Sequence, residues 1–148
     1  MKTDGEIAAY AAGIIDGEGT ITICKAIPRK VYHYIPHISV SNTDEKIVMW
    51  MQENFGGSIR KIEDNRPNRK NSYQWGIFGV KAGEEFLQKI YKYLIIKKER
   101  ASLLLYFLSS KDWVDDNYTI HLVDKEKFYL QMKELNKKGK KDENQVDE

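Results

Sequence analysis

The chain has 148 residues, of which 41% are hydrophobic, so a single compact domain over residues 1–136 is expected. Its one cysteine cannot form an intrachain disulfide, which fits a reducing compartment. In the sequence no apolar run approaches the roughly 20 residues that a membrane span requires, and the acidic N-terminus lacks the layout of a signal peptide. These features exclude disulfide-stapled and membrane-spanning classes and predict a soluble intracellular protein with no membrane partner.

The first helix is predicted by cap chemistry followed by an apolar run. Thr3 and Glu6 have the spacing of a capping box. Residues 7–15 are apolar on all sides, which is typical of a helix buried on several sides. The sequence Asp-Gly-Glu-Gly follows at residues 16–19, and we expect its glycines to end the helix in the left-handed conformation.

The rest of the chain alternates between strand and helix patterns. Strands are predicted at residues 20–23, about 32–41, 58–62 and 72–80. A helix is predicted to open at residues 42–45 and to end at residues 56–57, and further helices are predicted at residues 82–94, 98–109 and 124–135. This order predicts an α+β fold of the αββαββα type with a four-stranded antiparallel sheet and extra C-terminal helices. With the helices on one face, the other face of the sheet is bare and needs a partner. Residues 137–148 are charge-dense and are expected to be a disordered tail.

Positive charge is concentrated in the two predicted hairpins. Residues 20–41 and 57–79 contain eight basic residues and two acidic ones, a net charge of +6. Because the whole chain carries +2, the remainder carries −4. A basic sheet fits nucleic acid, since a two-stranded ribbon enters the major groove and polar side chains contact phosphates and base edges. On charge alone, a merely solvated basic hairpin is the alternative.

The acidic end of the first helix is electrostatically unfavourable without a cation. Asp16 and Glu18 face the negative end of the helix dipole, at a cost of about 0.3–1 kcal/mol each, and the sequence places no lysine nearby. A bound Mg²⁺ would reverse this cost, because carboxylate and carbonyl oxygens are its preferred ligands. Taken alone, the tetrapeptide favours a plain polar turn.

Small residues in the same helix favour close approach of another helix. They are Ala8, Ala9, Ala11, Ala12 and Gly13. The nearest candidate partner is the same helix of a second copy, which would place the two acidic ends side by side. That geometry suits cleavage of both strands of a duplex. A dimer interface at Ala8, Ala9, Ala12 and Gly13 is therefore expected.

Residues 10–19 read YAAGIIDGEG, and the chain here resembles the LAGLIDADG homing endonucleases. Residues 40–44, 54–58 and 94–101 resemble segments at corresponding places in that family, so the likeness covers about residues 6–108. Ala11 departs from the motif, which usually has leucine there. The resemblance implies a saddle-shaped sheet on DNA and double-strand cleavage at a long, near-palindromic site, in a prokaryotic cytoplasm or an organelle matrix. One motif in the chain implies a homodimer.

The resemblance also implies a metal site. The second acid of the motif, Glu18, corresponds to the family's ligand for Mg²⁺, or for Mn²⁺, or for Ca²⁺ in a non-cleaving complex. The Gly17 carbonyl is a possible further ligand. Asp16, the first acid, is expected to support the helix end instead.

Three further residues match catalytic positions of the family. Asn42 falls where a polar residue often orders active-site water, although it also fits a helix cap. Lys46 and Lys97 fall where basic residues often lie, and Lys97 could offset charge on the phosphorane. For both lysines the alternative is a solvated surface position.

The alternation of the strands divides the sheet residues into two sets. The set expected to face DNA comprises Thr22, Cys24, His33, His37, Ser39, Arg60, Ser72 and Gln74. The set expected to face the helices comprises Ile21, Ile23, Ile38, Val40, Ile59 and Trp75. Basic residues of the turns are expected to grip flanking DNA: Arg29, Lys30, Arg66, Arg69 and Lys70. A zinc site at His33 and His37 is rejected, because four residues of strand separate them by roughly 13 Å.

Two other functional classes remain open. A catalytically silent relative could use the same sheet as a DNA-binding regulator or as an RNA intron maturase, but a pure binder has no need of an acid facing phosphates. An α+β interaction domain could cover a protein with the bare sheet, but it would then present an apolar face rather than a basic one. Site-specific DNA cleavage is the function that the sequence favours.

Overall fold

The computed structural model describes residues 2–138, which form five α-helices and six β-strands. The helices are α1 (Asp4–Glu18), α2 (Glu45–Phe55), α3 (Val80–Ile90), α4 (Lys98–Ser109) and α5 (Lys125–Lys138). The strands are β1 (Gly19–Ala26), β2 (His33–Asn42), β3 (Ser58–Ile62), β4 (Ser72–Ile77), β5 (Trp113–Val114) and β6 (Ile120–His121). Short 3-10 helices cover Pro28–Lys30 and Tyr91–Tyr93. The predicted αββαββα order is confirmed. None of the helices within residues 2–138 combines the length and apolar character needed to cross a membrane.

The four long strands form one antiparallel sheet in the order β1-β2-β4-β3. The register pairs Ile21 with Ile38 and Val40 with Trp75, so these side chains share the face that packs on the helices. It pairs Thr22 with His37, on the opposite face. We call this second face the open face. The prediction of which strand side chains point to each face is therefore confirmed. A register error of one residue would have exchanged the two faces.

The core lies between the sheet and the helices. Trp75 is fully buried there, packs edge-on against Phe86 with ring centroids 5.3 Å apart, and donates its indole N–H to the Gly56 carbonyl at 2.7 Å. Helix α1 contributes Ala11 and Ile15, neither of which has exposed area. Its N-terminus has the predicted capping box between Thr3 and Glu6. Helix α1 and the sheet therefore share one hydrophobic core.

The end of α1 differs from the expectation. The helix continues through Asp16, Gly17 and Glu18 and gives way directly to β1. Gly19 has φ −85° and ψ 164°, so the backbone is extended there and the predicted left-handed ending is wrong. Glycine is needed at this position for another reason. A Cβ on Gly19 would lie 2.7 Å from Cα of Ile15, because the chain turns back closely against the last turn of the helix.

We expect Gly19→Ala to lower the free energy of unfolding by about 1–3 kcal/mol, as overpacking does in a tight site. The matched control is Gly17→Ala, because among residues 2–138 a Cβ on Gly17 meets no heavy atom within 4 Å beyond its own stretch of helix backbone. In a helix that change should instead stabilise by about 0.5–1 kcal/mol. Urea denaturation of the two variants measures the difference. Equal stabilities would contradict the close approach at Gly19.

The C-terminal third contains elements that periodicity did not predict. A two-residue-per-strand hairpin, β5 with β6, lies between α4 and α5. Helix α5 starts at Lys125 and runs through Lys138, past the predicted domain end at residue 136. The remainder of the predicted tail, residues 139–148, lies outside the described residues.

Candidate nuclease site and nucleic-acid interface

Glu18 lies at the last position of α1, next to the start of the sheet. Its side chain is exposed, and its carboxylate accepts a hydrogen bond from the amide nitrogen of Asn42. Asn42 ends β2, and its own amide oxygen accepts from the Asp44 backbone N–H at 2.7 Å. The N-cap of α2 is Asp44. The structure therefore brings Asn42 to Glu18, and Asp44 caps α2 instead.

Asp16 is occupied by backbone hydrogen bonds. Its carboxylate accepts from the N–H groups of Ile95, Ile96 and Lys97 at 2.8, 3.2 and 3.0 Å. The side chain therefore binds the loop before α4 to the end of α1. This arrangement is consistent with the expected supporting role of Asp16 and leaves Glu18 as the outward-facing acid of the pair.

Lys97 lies against the C-terminus of α1, which corrects the expectation that the helix end has no cation nearby. Its ammonium donates to the carbonyls of Ile15 at 2.7 Å, Gly19 at 2.5 Å and Asp16 at 3.3 Å. Burial is the main cause that lowers the pKa of Lys97, and the charge of Arg100 lowers it further. The three bonds use all three donors of an ammonium group. In this structure the Lys97 ammonium therefore holds the end of α1, and its expected action on the phosphorane stays a prediction.

Removal of this ammonium should destabilise the fold. We expect Lys97→Met to lower the free energy of unfolding by about 1–3 kcal/mol, since carbonyls at the helix end lose their donors. Lys98→Met is the matched control, because the Lys98 ammonium lies over the Tyr91 ring at 5.1 Å and makes the weaker kind of contact. Guanidinium denaturation compares the two. An equal loss in both variants would show that the helix-end contact carries no special weight.

The ligands around Glu18 fit a metal that is shared with other molecules. Among residues 2–138 no group of three or more His, Cys, Asp or Glu side chains could hold a metal ion. The Glu18 carboxylate remains, because the carbonyls of Ile15, Asp16 and Gly19 already accept from Lys97. Mg²⁺ typically takes one or two carboxylates together with phosphate oxygens and water. The donor set therefore suits an ion completed by a substrate phosphate and by a second carboxylate.

The small residues of α1 fall into two groups. Ala12 has no exposed area and Ala8 is 8% exposed, because both pack inside the same chain. Ala9 and Gly13 are exposed on the outer side of the helix. The expectation of four interface residues is thus corrected, since burial within the protomer leaves only Ala9 and Gly13 available to a second copy. Ala11 is also buried inside the protomer, so its departure from the motif does not alter an interface.

The middle of the open face is polar and connected by hydrogen bonds. His37 and Ser39 are linked between Nε2 and Oγ at 2.9 Å. The Arg60 guanidinium donates to the Gln74 amide oxygen at 2.7 Å across the β3–β4 pair. Burial, and secondarily the charge of Arg60, lowers the pKa of His37, so the imidazole is neutral near pH 7.

The β1 edge of the open face is approached by α5. The Asn136 amide donates to the Thr22 hydroxyl at 3.2 Å and to the Ile21 carbonyl at 3.4 Å. The expected DNA contact of Thr22 stays a prediction, and its hydroxyl already accepts one hydrogen bond from α5. Cys24, two residues further along β1, is exposed.

The basic turn residues expected to contact flanking DNA differ in their present surroundings. Arg29 and Lys30 are exposed and lie in the left-handed region, at φ 54° and 65°. Arg66 makes a two-point contact with Asp64 at 2.7 and 2.9 Å, so its guanidinium is already paired. An exposed pair of this kind contributes little to stability, so a phosphate can replace the carboxylate. Other residues of the predicted interface are exposed: His33, Arg69 and Lys70. Lys46, which is predicted to be catalytic, is exposed as well.

Neither a family model nor a curated protein matches the sequence. Solved structures do match the fold. The homing endonuclease I-CvuI in complex with its target in the presence of Ca has a TM-score of 0.62 and 22% identity over 71% of this chain and 67% of that one. The group I intron-encoded homing endonuclease I-CeuI complexed with DNA has a TM-score of 0.59 and 18% identity over 73% of this chain and 56% of that one. This chain has the LAGLIDADG homing-endonuclease fold.

A third structure covers more of both molecules. The archaeal intron-encoded homing endonuclease I-Vdi141I complexed with DNA has a TM-score of 0.51 and 18% identity over 87% of this chain and 96% of that one. The resemblance carried by residues 10–19 is thus confirmed at the level of the fold. The chain spans about two thirds of I-CvuI and just over half of I-CeuI.

The homing-endonuclease fold also places on the open face residues that the sequence analysis missed. Phe78 follows β4, continues its alternation beyond Gln74 and Gly76, and has a side chain that is 64% exposed. Ser58 pairs with Gly76 on the same face. Alternation along β4 is the signal that identifies Phe78, because residues 74, 76 and 78 point to the same face.

Proposed function

We propose that the protein is a site-specific DNA endonuclease. It acts as a homodimer that makes double-strand breaks at a long, near-palindromic target by divalent-metal-dependent phosphodiester hydrolysis. The observation that carries this proposal is the exposed Glu18 carboxylate, which ends α1 beside the polar open face of a sheet whose two hairpins carry a net charge of +6. A protein that only bound DNA would be weakened by an acid at this point, because it would repel phosphates.

Charge and shape support duplex DNA as the partner. The two hairpins carry a net +6, and the open face has exposed donors such as Arg60. Two-stranded ribbons fit the major groove. Arg29, Lys30, Arg69 and Lys70 lie in turns that reach beyond the sheet, where they are suited to flanking phosphates. I-CvuI, I-CeuI and I-Vdi141I are each known in complex with DNA, which is consistent with the same partner here.

Glu18 is the proposed metal ligand, with the Gly17 carbonyl as a further one. A divalent ion held there lowers the pKa of an attacking water and offsets charge on the leaving 3′-oxygen. Asn42 orients the carboxylate through its amide N–H and can hold a water beside it. Lys97 neutralises the end of α1, so that the position of Glu18 does not depend on the ion. Lys46, which is exposed in the first turn of α2, is suited to a nearby phosphate.

The homodimer follows from the incomplete ligand set and the exposed face of α1. Ala9 and Gly13 allow a second α1 to approach along this face, as small residues do at helix contacts. A two-fold axis between the helices would bring two Glu18 carboxylates together, one for each DNA strand. Each protomer would then supply one half of the recognition surface, which is why a near-palindromic target is expected.

The test is cleavage of a randomised duplex library in the presence and absence of Mg²⁺, with sequencing of the cut ends. We expect Mg²⁺-dependent double-strand cuts at related near-palindromic sites. Specific binding without cutting would favour the alternative of a catalytically silent regulator or an RNA intron maturase. Absence of duplex binding would refute the proposal and favour a protein-interaction domain.

A further inference from the structure

A shallow cavity of about 290 Å³ opens on the open face, where β2, β3 and β4 lie side by side. Its wall includes His37, Ser39, Arg60, Gln74, Gly76 and Phe78. Ser39 is only 3% exposed, so it forms part of the floor. The cavity is separate from the cleavage site at Glu18, whose side chain does not line it.

One side of the cavity is apolar because of a glycine and an aromatic ring. Gly76 has no side chain to fill the space. A methyl group in its place would lie 3.4 and 3.5 Å from two carbons of the Phe78 ring, which is ordinary van der Waals contact. The Phe78 ring is 64% exposed, and the space beside it over Gly76 can take one small apolar group in contact with the ring. The Phe78 ring and the space left by Gly76 therefore form an apolar wall beside the polar side chains of the cavity.

The other side of the cavity presents hydrogen-bond donors. Gln74 uses its amide oxygen to accept from Arg60 at 2.7 Å, so its amide N–H groups remain as donors. The Arg60 guanidinium has five N–H donors and uses one of them in this contact. The same cavity therefore combines hydrogen-bond donors with an apolar wall.

We propose that this cavity is a thymine-specific base subsite, in which Phe78 contacts the 5-methyl group and Arg60 and Gln74 donate to the neighbouring O4. In the major groove thymine presents an acceptor beside a methyl group, and this combination is unique among the bases. Cytosine presents an N4 donor there, which would face the donors of Arg60 and Gln74. Guanine presents acceptors without a methyl group. The inference rests on the proposed function, because it assumes that the open face meets duplex DNA.

The test compares two randomised duplex libraries, one made with thymine and one with uracil, which differs only by the missing methyl group. Protein-bound molecules are sequenced to obtain the base preference at each position. For the wild type we expect a thymine preference at one position of each half-site that weakens about fourfold in the uracil library, the factor expected for burial of one methyl group. Phe78→Ala should show no difference between the libraries at that position.

Two further variants make the comparison specific. Phe78→Leu retains an apolar wall and should retain the methyl preference. Ile35→Ala removes another exposed apolar side chain of the open face, 45% exposed, and should leave the preference at the Phe78 position unchanged. Thermal melting checks that each variant is folded.

The possible failures are distinguishable. Specific binding by the wild type without any methyl dependence, or a dependence that persists in Phe78→Ala, overturns the thymine subsite and leaves the endonuclease proposal intact. Failure of the wild type to select any duplex sequence refutes the proposed function, and the subsite with it.

Discussion

Replacement of Glu18 by glutamine should lower the rate of DNA cleavage by at least about a hundredfold, in the range found when one charge-stabilising group is removed from an active site. The glutamine side chain is nearly the same shape, and its amide oxygen can still accept from Asn42. It lacks the negative charge that a divalent cation requires of its ligand. DNA affinity should be unchanged or higher, because one acid facing phosphates is gone. Cleavage and gel-shift titrations with the same duplex measure the two effects.

Glu45→Gln is the matched control for this experiment. Glu45 is an exposed acid in the first turn of α2, and its replacement makes the same change in charge without touching the end of α1. We expect it to cleave at the normal rate. If Glu18→Gln also cleaved normally, the assignment of Glu18 as the metal ligand would be wrong.

Replacement of Gly13 by arginine should convert the dimer to a monomer and abolish double-strand cleavage. Gly13 is exposed, and among residues 2–138 a Cβ there meets no heavy atom within 4 Å beyond its own stretch of helix backbone, so one protomer accommodates the change without loss of its core. Between two closely packed α1 helices the same side chain would force the backbones apart and set two charges against each other. Sedimentation velocity gives the oligomeric state, and a plasmid assay distinguishes nicked from linear DNA.

The control here is Ala82→Arg, which adds the same side chain at an exposed position of α3. This variant should remain a dimer with normal cleavage. A wild type that sediments as a monomer even with duplex DNA, or a dimer that survives Gly13→Arg, would contradict the α1 interface and require another arrangement of the two cleavage sites.

Much of the fold is predictable because it depends on neighbours in sequence. The capping box at Thr3 and Glu6 and the faces of Ile21, Ile38 and Trp75 all agree with the structure. Each of these features follows from spacing along a single helix or strand. Glu18 was identified in the same way, because it stands two residues after Asp16 at the end of an apolar helix and the whole motif is contiguous.

The surroundings of Glu18 could not be predicted in this way. Lys97 reaches the α1 carbonyls from about 80 residues further along the chain, and Asp16 binds the loop that precedes Lys97. Asn136 reaches Thr22 from a helix beyond the recognisable motif. The burial of Ala12, which removes it from the proposed interface, likewise depends on how α1 packs against the sheet.

By itself, the sequence determined the order of the elements, the two faces of the sheet and the acid at the end of α1. Tertiary structure decided which polar groups are already paired, which small residues remain exposed, and that Phe78 and Gly76 form one cavity. The reason is physical. Periodicity records which way each side chain points from its own backbone, whereas pairing and burial depend on other segments that approach it only after the chain has folded.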